Sequence, residues 1–175
     1  MQSTIAATIV ALAVSASAAW AGADLIAFPE NYASRFVRFT TVDQVPQKRV
    51  RFMYVNPEAL AATKGGQSAP HGTVLVMEDH RVKLDAAGNP VTDVTGRLIP
   101  TSEVFAIFVQ RKERGWGAEY PEALRNGEWE YASFTLEGKH REGQSYARCF
   151  ECHKEQAAAD DFMFTFADFL KKIGK

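Results

Sequence analysis

Cys149-Phe150-Glu151-Cys152-His153 is the stretch around which this chain of 175 residues is organised. Two cysteines three residues apart, followed at once by a histidine, form the C-x-x-C-H spacing used for covalent haem attachment. Each thiol can add to one vinyl group of the porphyrin, and His153 is then placed to bind the iron from one face. The motif predicts one covalently bound haem c with His153 as the proximal ligand, on a chain that leaves the reducing cytosol.

Three other uses of a Cys-x-x-Cys pair fit this sequence less well. A thioredoxin-like redox pair lies early in a βαβ pattern, at a helix start after a strand, whereas this pair lies near the C-terminus. A structural zinc site needs a fourth ligand, and His71, His80 and His140 show no zinc-site spacing. A disulfide across two residues closes too small a loop to stabilise much. We expect these three histidines to be surface or loop residues rather than ligands.

The other end of the chain predicts export. Residues 1–21 contain a mostly apolar run, residues 5–14, without an acid or a base, and Ala19 and Ala21 occupy the small-residue positions of a cleavage site. We therefore predict a signal peptide over residues 1–21, Gly22 as the first mature residue, and a periplasmic location. A transmembrane anchor is the alternative, but the apolar run is short for a bilayer, and no stable span is expected after cleavage.

The remaining residues, 22–175, are predicted to form a single domain, because a chain of this size can build a core of its own. The formal net charge is −1, and the basic residues are scattered singly or in pairs. Such a chain offers no field that attracts a polyanion, so we expect no nucleic-acid partner.

Hydrophobic patterning predicts that this domain is mainly an antiparallel sheet. Five segments are rich in strand formers or alternate between apolar and polar residues: 35–42, 49–55, 73–84, 104–112 and 127–136. A short helix is predicted to begin at Pro57, with Asn56 as its N-cap. Helical spacing returns from Gln144 and continues to Ile173. The predicted fold class is α+β, a mainly antiparallel β-sheet with short helices and a C-terminal helical haem-attachment segment.

Several segments together resemble the cytochrome P460 family and the related cytochromes c′-beta. The segments that carry the resemblance are residues 51–58, 72–78, 127–130, 149–154 and 161–165. The resemblance covers nearly all of the predicted mature chain, and its C-terminal block is the specific part. It implies a periplasmic, mostly β, homodimeric haem c protein, with His153 on the iron and an open or apolar distal side.

The resemblance also assigns roles to residues that the motif does not reach. Family members named P460 oxidise hydroxylamine, with a lysine joined to the porphyrin edge and a distal carboxylate as proton acceptor, whereas relatives without that lysine bind NO or CO under phenylalanines. Met77 stands where the lysine would be, Ala106 stands near the carboxylate position, and Arg51 matches a distal arginine. By strand alternation, Phe105 and Phe108 lie on opposite faces, so that one caps the haem and the other joins the core.

Three functions remain open on this sequence. We favour binding of a small ligand such as NO, because an apolar distal pocket stabilises a neutral diatomic. A methionine opposite His153, from among Met53, Met77 and Met163, would instead make an electron-transfer cytochrome with a periplasmic redox partner. The third function is a redox enzyme that acts on hydroxylamine or another small nitrogen compound by chemistry other than the lysine link.

Overall fold

The computed structural model describes residues 22–175, and its framework is a five-stranded sheet in which every strand pairs antiparallel with the one before it. The strands are β1 (Val37–Gln44), β2 (Arg49–Val55), β3 (Val74–Val82), β4 (Pro100–Lys112) and β5 (Trp129–Phe134). The predicted α+β class with a mainly antiparallel sheet is confirmed. The signal peptide predicted for residues 1–21 lies outside the described residues.

Four α-helices accompany the sheet within the described residues: α1 (Tyr32–Arg35), α2 (Pro57–Ala62), α3 (Ala147–Ala157) and α4 (Thr165–Lys172). Single 3₁₀ turns occur at Ala23–Leu25, Val45–Gln47, Glu122–Leu124 and Ala158–Asp160. Lys171 and Lys172 lie in the last turn of α4, where positive charge interacts favourably with the helix dipole. Within residues 22–175, no helix combines the length and the apolar character that a membrane crossing requires.

All five predicted strands are present, and the predicted and observed strands differ at their ends. Strand β2 has the predicted bounds, whereas β1 begins two residues later than predicted because Arg35 ends α1. Strand β4 begins at Pro100, four residues before the predicted start. This added stretch, Pro100–Glu103, is polar and largely exposed, so hydrophobic patterning did not reveal it.

The two faces of the sheet are covered by opposite ends of the described chain. The C-terminal segment packs on one face, where Phe166 and Leu170 join Met53, Leu75 and Trp129 in a buried cluster. The segment from Ala23 to Phe36 covers the other face, in a cluster that contains Ile26, Tyr32, Val76, Val109 and Phe134. Because side chains alternate along a strand, β3 sends Leu75 and Met77 to the first face and Val76 and Glu78 to the second. Met77 therefore faces the segment that carries the cysteine motif.

The face covered by the N-terminal segment contains a buried polar group. Glu78 accepts hydrogen bonds from the hydroxyls of Tyr32 and Tyr54, and His80 Nε2 lies 2.5 Å from Glu78 Oε1. His80 Nδ1 lies 2.9 Å from the carbonyl of Thr101. The prediction that His80 is a surface or loop residue is therefore wrong, because this strand residue is only 7% exposed. It faces away from the cysteine motif.

Phe134 offers a direct measurement of how strongly the second face is packed. Its ring is fully buried and lies 5.3 Å from the ring of Phe28. We expect Phe134→Ala to lower the free energy of unfolding in urea by about 3–5 kcal/mol, because it removes a buried ring and leaves a cavity. Leu136→Ala is the control, since Leu136 is 53% exposed and its truncation should change stability by less than about 0.5 kcal/mol. Equal losses in the two variants would contradict this description of the core.

Candidate functional site

Helix α3 is anchored to β5 by hydrogen bonds at its N-terminal half. The hydroxyl of Tyr146, just before the helix, accepts a hydrogen bond from the backbone amide of Ser133 at 3.0 Å. The buried amide of Asn126 donates to the carbonyl of Phe150 at 3.0 Å. These contacts fix the helical turn that carries the first cysteine of the motif.

The two cysteines of α3 are free thiols, and both are half-buried. Their spacing of three residues brings Cys149 and Cys152 to the same side of the helix. Burial raises the pKa of the Cys149 thiol, and the nearby Cys152 acts in the same direction. Cys152 lines a cavity between the helix and the sheet. A group that fills this cavity therefore meets at least one thiol directly.

His153 is held in one orientation and one tautomer. Its Nδ1 lies 2.7 Å from the carbonyl of Phe162, and because a carbonyl only accepts, Nδ1 must carry the proton. The imidazole ring packs between Tyr131, at 4.8 Å, and Phe164, at 4.6 Å. Burial lowers the pKa of His153, which favours the neutral ring. The lone pair is then on Nε2, the nitrogen available to bind a metal from this position.

The carbonyl that holds His153 belongs to an unusual turn. Asp161 and Phe162 both have left-handed backbone angles, with φ of 52° and 59°, which cost energy in residues other than glycine. The carboxylate of Asp161 binds the ammonium group of Lys112 at 2.8 Å, and Gln110 donates to the Phe162 carbonyl at 3.0 Å. Lys112 and Asp161 are largely buried, with side-chain exposures of 6% and 15%. The ion pair and the amide together keep the strained turn in place.

A cavity of about 280 Å³ separates the cysteine helix from the sheet. One wall comes from the C-terminal segment: Cys152, His153, Phe164, Thr165 and Phe166. The other wall comes from the sheet: Val42, Gln44, Arg51, Met53, Leu75, Met77 and Gln110. Most of these side chains are apolar, and Arg51 is the one lining residue with a permanent charge. The cavity therefore combines an imidazole on one side with a mainly apolar surface and a guanidinium on the other.

Arg51 is fixed by a buried carboxylate that the sequence analysis missed. Asp79 is fully buried, and its two oxygens accept from Arg51 Nε at 2.6 Å and Arg51 Nη2 at 2.9 Å. Arg49 Nη1 binds the same carboxylate at 2.7 Å. The Nη1 of Arg51 lies 3.8 Å from the sulfur of Met77 and makes no contact with Asp79. This nitrogen is thus the part of the guanidinium still available to a ligand.

Asp79 lies directly opposite Ala106 in the pairing of β3 with β4. The resemblance had pointed to Ala106 as the position of a distal carboxylate, and the structure places a carboxylate on the neighbouring strand instead. Glu78 and Asp79 are adjacent on β3, so their side chains point to opposite faces, and an acid on each face of a central strand is a signal that could have marked Asp79 as buried and paired. Its partners could not be read from the sequence, because they depend on the register between β2 and β3.

The two phenylalanines of β4 occupy different environments. Phe108 pairs with Met77 in the sheet register, and its ring lies 5.4 Å from the guanidinium of Arg51. The register shifts where Ala106 and Val104 pair with successive residues of β3, so Phe105 is an extra, bulged residue. Its ring packs 4.5 Å from the guanidinium of Arg81. The simple alternation expected for these two residues therefore does not extend to Phe105, and neither ring is among the residues that line the cavity.

Three of the other histidines and methionines considered as ligands, His71, His140 and Met163, are not among the residues that line the cavity. His71 pairs with Glu128 at the surface, and His140 packs on the ring of Phe134 at 4.5 Å. Met163 is buried in the core cluster, whereas Met53 and Met77 line the cavity. In the described part of the chain, no group of three or more histidine, cysteine, aspartate or glutamate residues is arranged to hold a metal ion.

Comparison with known families shows which family the chain resembles. The model of the family described as cytochrome P460 matches residues 29–165, a range that includes all five strands, the cysteine motif and the turn at Phe162. No curated protein matches the chain.

The buried Lys112–Asp161 pair predicts a strong dependence of stability on one lysine. We expect Lys112→Met to lower the free energy of unfolding by about 3 kcal/mol, because it leaves the Asp161 carboxylate without its buried cation. Lys171→Met is a matched control, since Lys171 pairs with the adjacent acid, Asp160, at the surface. Urea unfolding of both variants checks this, and a loss in the control as large as in Lys112→Met would contradict it.

Proposed function

The chain belongs to the cytochrome P460 family, so its cofactor is haem, and from this premise we propose an exported c-type cytochrome that binds a small ligand such as NO. In this proposal one haem is attached through thioether bonds to Cys149 and Cys152. His153 supplies the proximal iron ligand, and the sheet wall of the cavity forms the distal side.

The observation that carries the proposal is the hydrogen bond from His153 Nδ1 to the Phe162 carbonyl. It orients the imidazole and leaves Nε2 as the metal-binding nitrogen, which is how histidines that ligate metals are usually held. Two unpaired thiols lie within four residues of this nitrogen donor. The donor set therefore fits a covalently attached haem, which when bound supplies an iron with one position open to a small ligand.

The sheet wall favours a neutral ligand over a charged one. Leu75, Met53 and Met77 present apolar surface to the cavity. Such a surface disfavours water and ions, because they lose hydration when they enter it. A neutral diatomic molecule is weakly hydrated and loses little on entry. Arg51 adds one donor, Nη1, that can stabilise partial negative charge on a bound ligand.

Oxidation of hydroxylamine or another small nitrogen compound is the second candidate, and the observation in its favour is Asp79. A buried carboxylate on the cavity side of the sheet is the type of group that such a reaction needs as a proton acceptor. However, both oxygens of Asp79 already accept hydrogen bonds from Arg49 and Arg51. The two guanidinium groups occupy this carboxylate, and Asp79 is not among the residues that line the cavity, so we assign Asp79 the role of positioning Arg51.

Electron transfer with Met77 on the iron is the remaining alternative. Met77 lines the cavity, but its sulfur lies 3.8 Å from Arg51 Nη1. A guanidinium group so close to the Met77 sulfur competes with a metal for the lone pairs of that sulfur. For this reason we rank ligand binding above a His–Met electron-transfer site.

Export, dimerisation and a redox partner complete the proposal. Export to the periplasm is supported by the predicted signal peptide at residues 1–21 and by the requirement of thioether attachment for an oxidising compartment. The family resemblance supports a homodimer, and the electron-transfer alternative would add a periplasmic redox partner. Light scattering of the purified protein measures the oligomeric state, and a monomer at working concentration would remove the homodimer from the proposal.

Absorption spectroscopy of the purified exported protein tests the proposed function. We expect a haem spectrum that survives denaturation and acid extraction, is high-spin when ferrous, and changes on titration with NO. In the Met77→Leu variant, which keeps the apolar shape, we expect the same spectra, because Met77 does not bind the iron. A low-spin spectrum that becomes high-spin in Met77→Leu would instead establish electron transfer. Turnover of hydroxylamine with an electron acceptor, lost in Asp79→Asn, would establish the enzyme.

Two arginines on one carboxylate provide a matched pair for testing the distal donor. Arg49 and Arg51 both bind Asp79, but only Arg51 lines the cavity. We expect Arg51→Leu to speed NO dissociation about tenfold, the value of one charge-assisted hydrogen bond, and Arg49→Leu to leave it nearly unchanged. Stopped-flow measurement of NO release checks both variants. Equal dissociation rates for the two variants would show that Arg51 makes no contact with the ligand.

A further inference from the structure

A buried carboxylate on β5 has no cation to neutralise it among the described residues. Glu130 is fully buried, its Oε2 accepts a hydrogen bond from Tyr120 at 3.1 Å, and its Oε1 has no hydrogen-bond partner within residues 22–175. Within the same residues, no lysine, arginine or histidine side chain forms an ion pair with it. A buried carboxylate in this condition is costly, because it has lost its hydration without gaining an opposite charge.

The neighbouring charged groups do not relieve this cost. Arg111 lies opposite Glu130 in the β4–β5 register, but its guanidinium binds Glu113 at 2.6 Å. Glu119, beside Tyr120, adds negative charge. Burial raises the pKa of Glu130 to about 7, so in this environment the carboxylate holds its proton far more tightly than an exposed glutamate does.

Gly22 lies directly against this carboxylate. A β-carbon added to Gly22 would clash with Glu130 Oε2 and with the hydroxyl of Tyr120. The α-carbon of Gly22 is therefore in contact with both oxygens, and only glycine fits there. Its backbone amide hydrogen-bonds to Tyr120. Gly22 opens the 3₁₀ turn at Ala23–Leu25, which packs against β5 and holds the glycine in this place.

Gly22 is also the residue that the predicted cleavage after Ala21 would make the first of the chain. Cleavage converts the peptide nitrogen of Gly22 into an α-ammonium group with three donors. We propose that this α-ammonium group forms a buried ion pair with Glu130, so that removal of the signal peptide completes the charge balance of the fold. The inference rests on the export part of the proposed function.

The ion pair links processing to the segment that carries the cysteine motif. Tyr120 binds Glu130 through its hydroxyl, and its ring packs edge-on against Phe150 at 5.3 Å. Phe150 lies between the two cysteines of α3 in sequence and is 3% exposed. In a chain that keeps its signal peptide, Glu130 has no ammonium partner beside Tyr120 and Phe150. Removal of the signal peptide thus stabilises the region against which α3 packs.

A double-mutant comparison tests the ion pair in the exported, haem-loaded protein. The two backgrounds are the chain that begins at Gly22 and a chain with two residues added before Gly22, each with its first residue verified by intact mass. We expect Glu130→Gln to raise the unfolding constant at least about tenfold in the Gly22 chain. In the extended chain it should leave that constant unchanged or lower it. The same factor in both backgrounds overturns the inference.

Glu30→Gln is the control, because Glu30 is exposed, is not among the groups that act on Glu130, and should change neither chain appreciably. A mature protein whose first residue is not Gly22 also overturns the ion pair. A product without haem absorbance contradicts the proposed function, whereas a haem-loaded product with equal effects in both backgrounds contradicts only the ion pair.

The pH dependence of stability is a second readout that needs no substitution of Glu130. In the extended chain, the raised pKa means that the folded state binds more protons than the unfolded state between pH 4.5 and about 7. Stability should therefore fall as pH rises through this interval. In the chain that begins at Gly22, the ammonium group keeps Glu130 ionised at low pH. The fall in stability should therefore be absent. Identical slopes in the two chains overturn the inference.

Discussion

The hydrogen bond between His153 Nδ1 and the Phe162 carbonyl is the interaction on which the site depends. It decides which imidazole nitrogen is available, and it fixes the ring in the space between Tyr131 and Phe164. The carbonyl is in the correct place only because two residues adopt a left-handed backbone. The buried Lys112–Asp161 pair offsets the cost of that conformation, so a lysine of β4 contributes to the geometry of a histidine on α3.

On the sheet side of the cavity, too, one buried residue holds another in position. Asp79 accepts hydrogen bonds from both arginines, and this restraint leaves one nitrogen of Arg51 directed away from the carboxylate. The apolar neighbours make most of the cavity wall apolar, while Arg51 makes one corner of it polar. The carboxylate lies at Asp79 on β3 and not at Ala106 on β4. At Asp79 it binds Arg49 and Arg51, so its role is to hold Arg51 in position.

Much of the fold followed from patterns within short segments. The sheet, its antiparallel character and the C-terminal helices were predicted because alternation and helical spacing are local properties of the sequence. The polar start of β4 and the bulge at Phe105 were not predicted, because neither leaves a hydrophobic signal. The buried position of His80 was also missed, since it depends on Tyr32 and Tyr54 covering the same glutamate.

The sequence by itself determined the Cys-x-x-Cys-His motif, the approximate positions of the strands along the chain and the antiparallel character of the sheet. Each of these depends on spacing along the chain, which the sequence states directly. Only the tertiary structure decided the partners of Asp79, the carbonyl that orients His153 and the meeting of Gly22 with Glu130. These contacts join residues that are far apart in sequence, and strand register and the path of the C-terminal turn bring them together. No local sequence pattern predicts these contacts, because they are set by the packing of the whole domain.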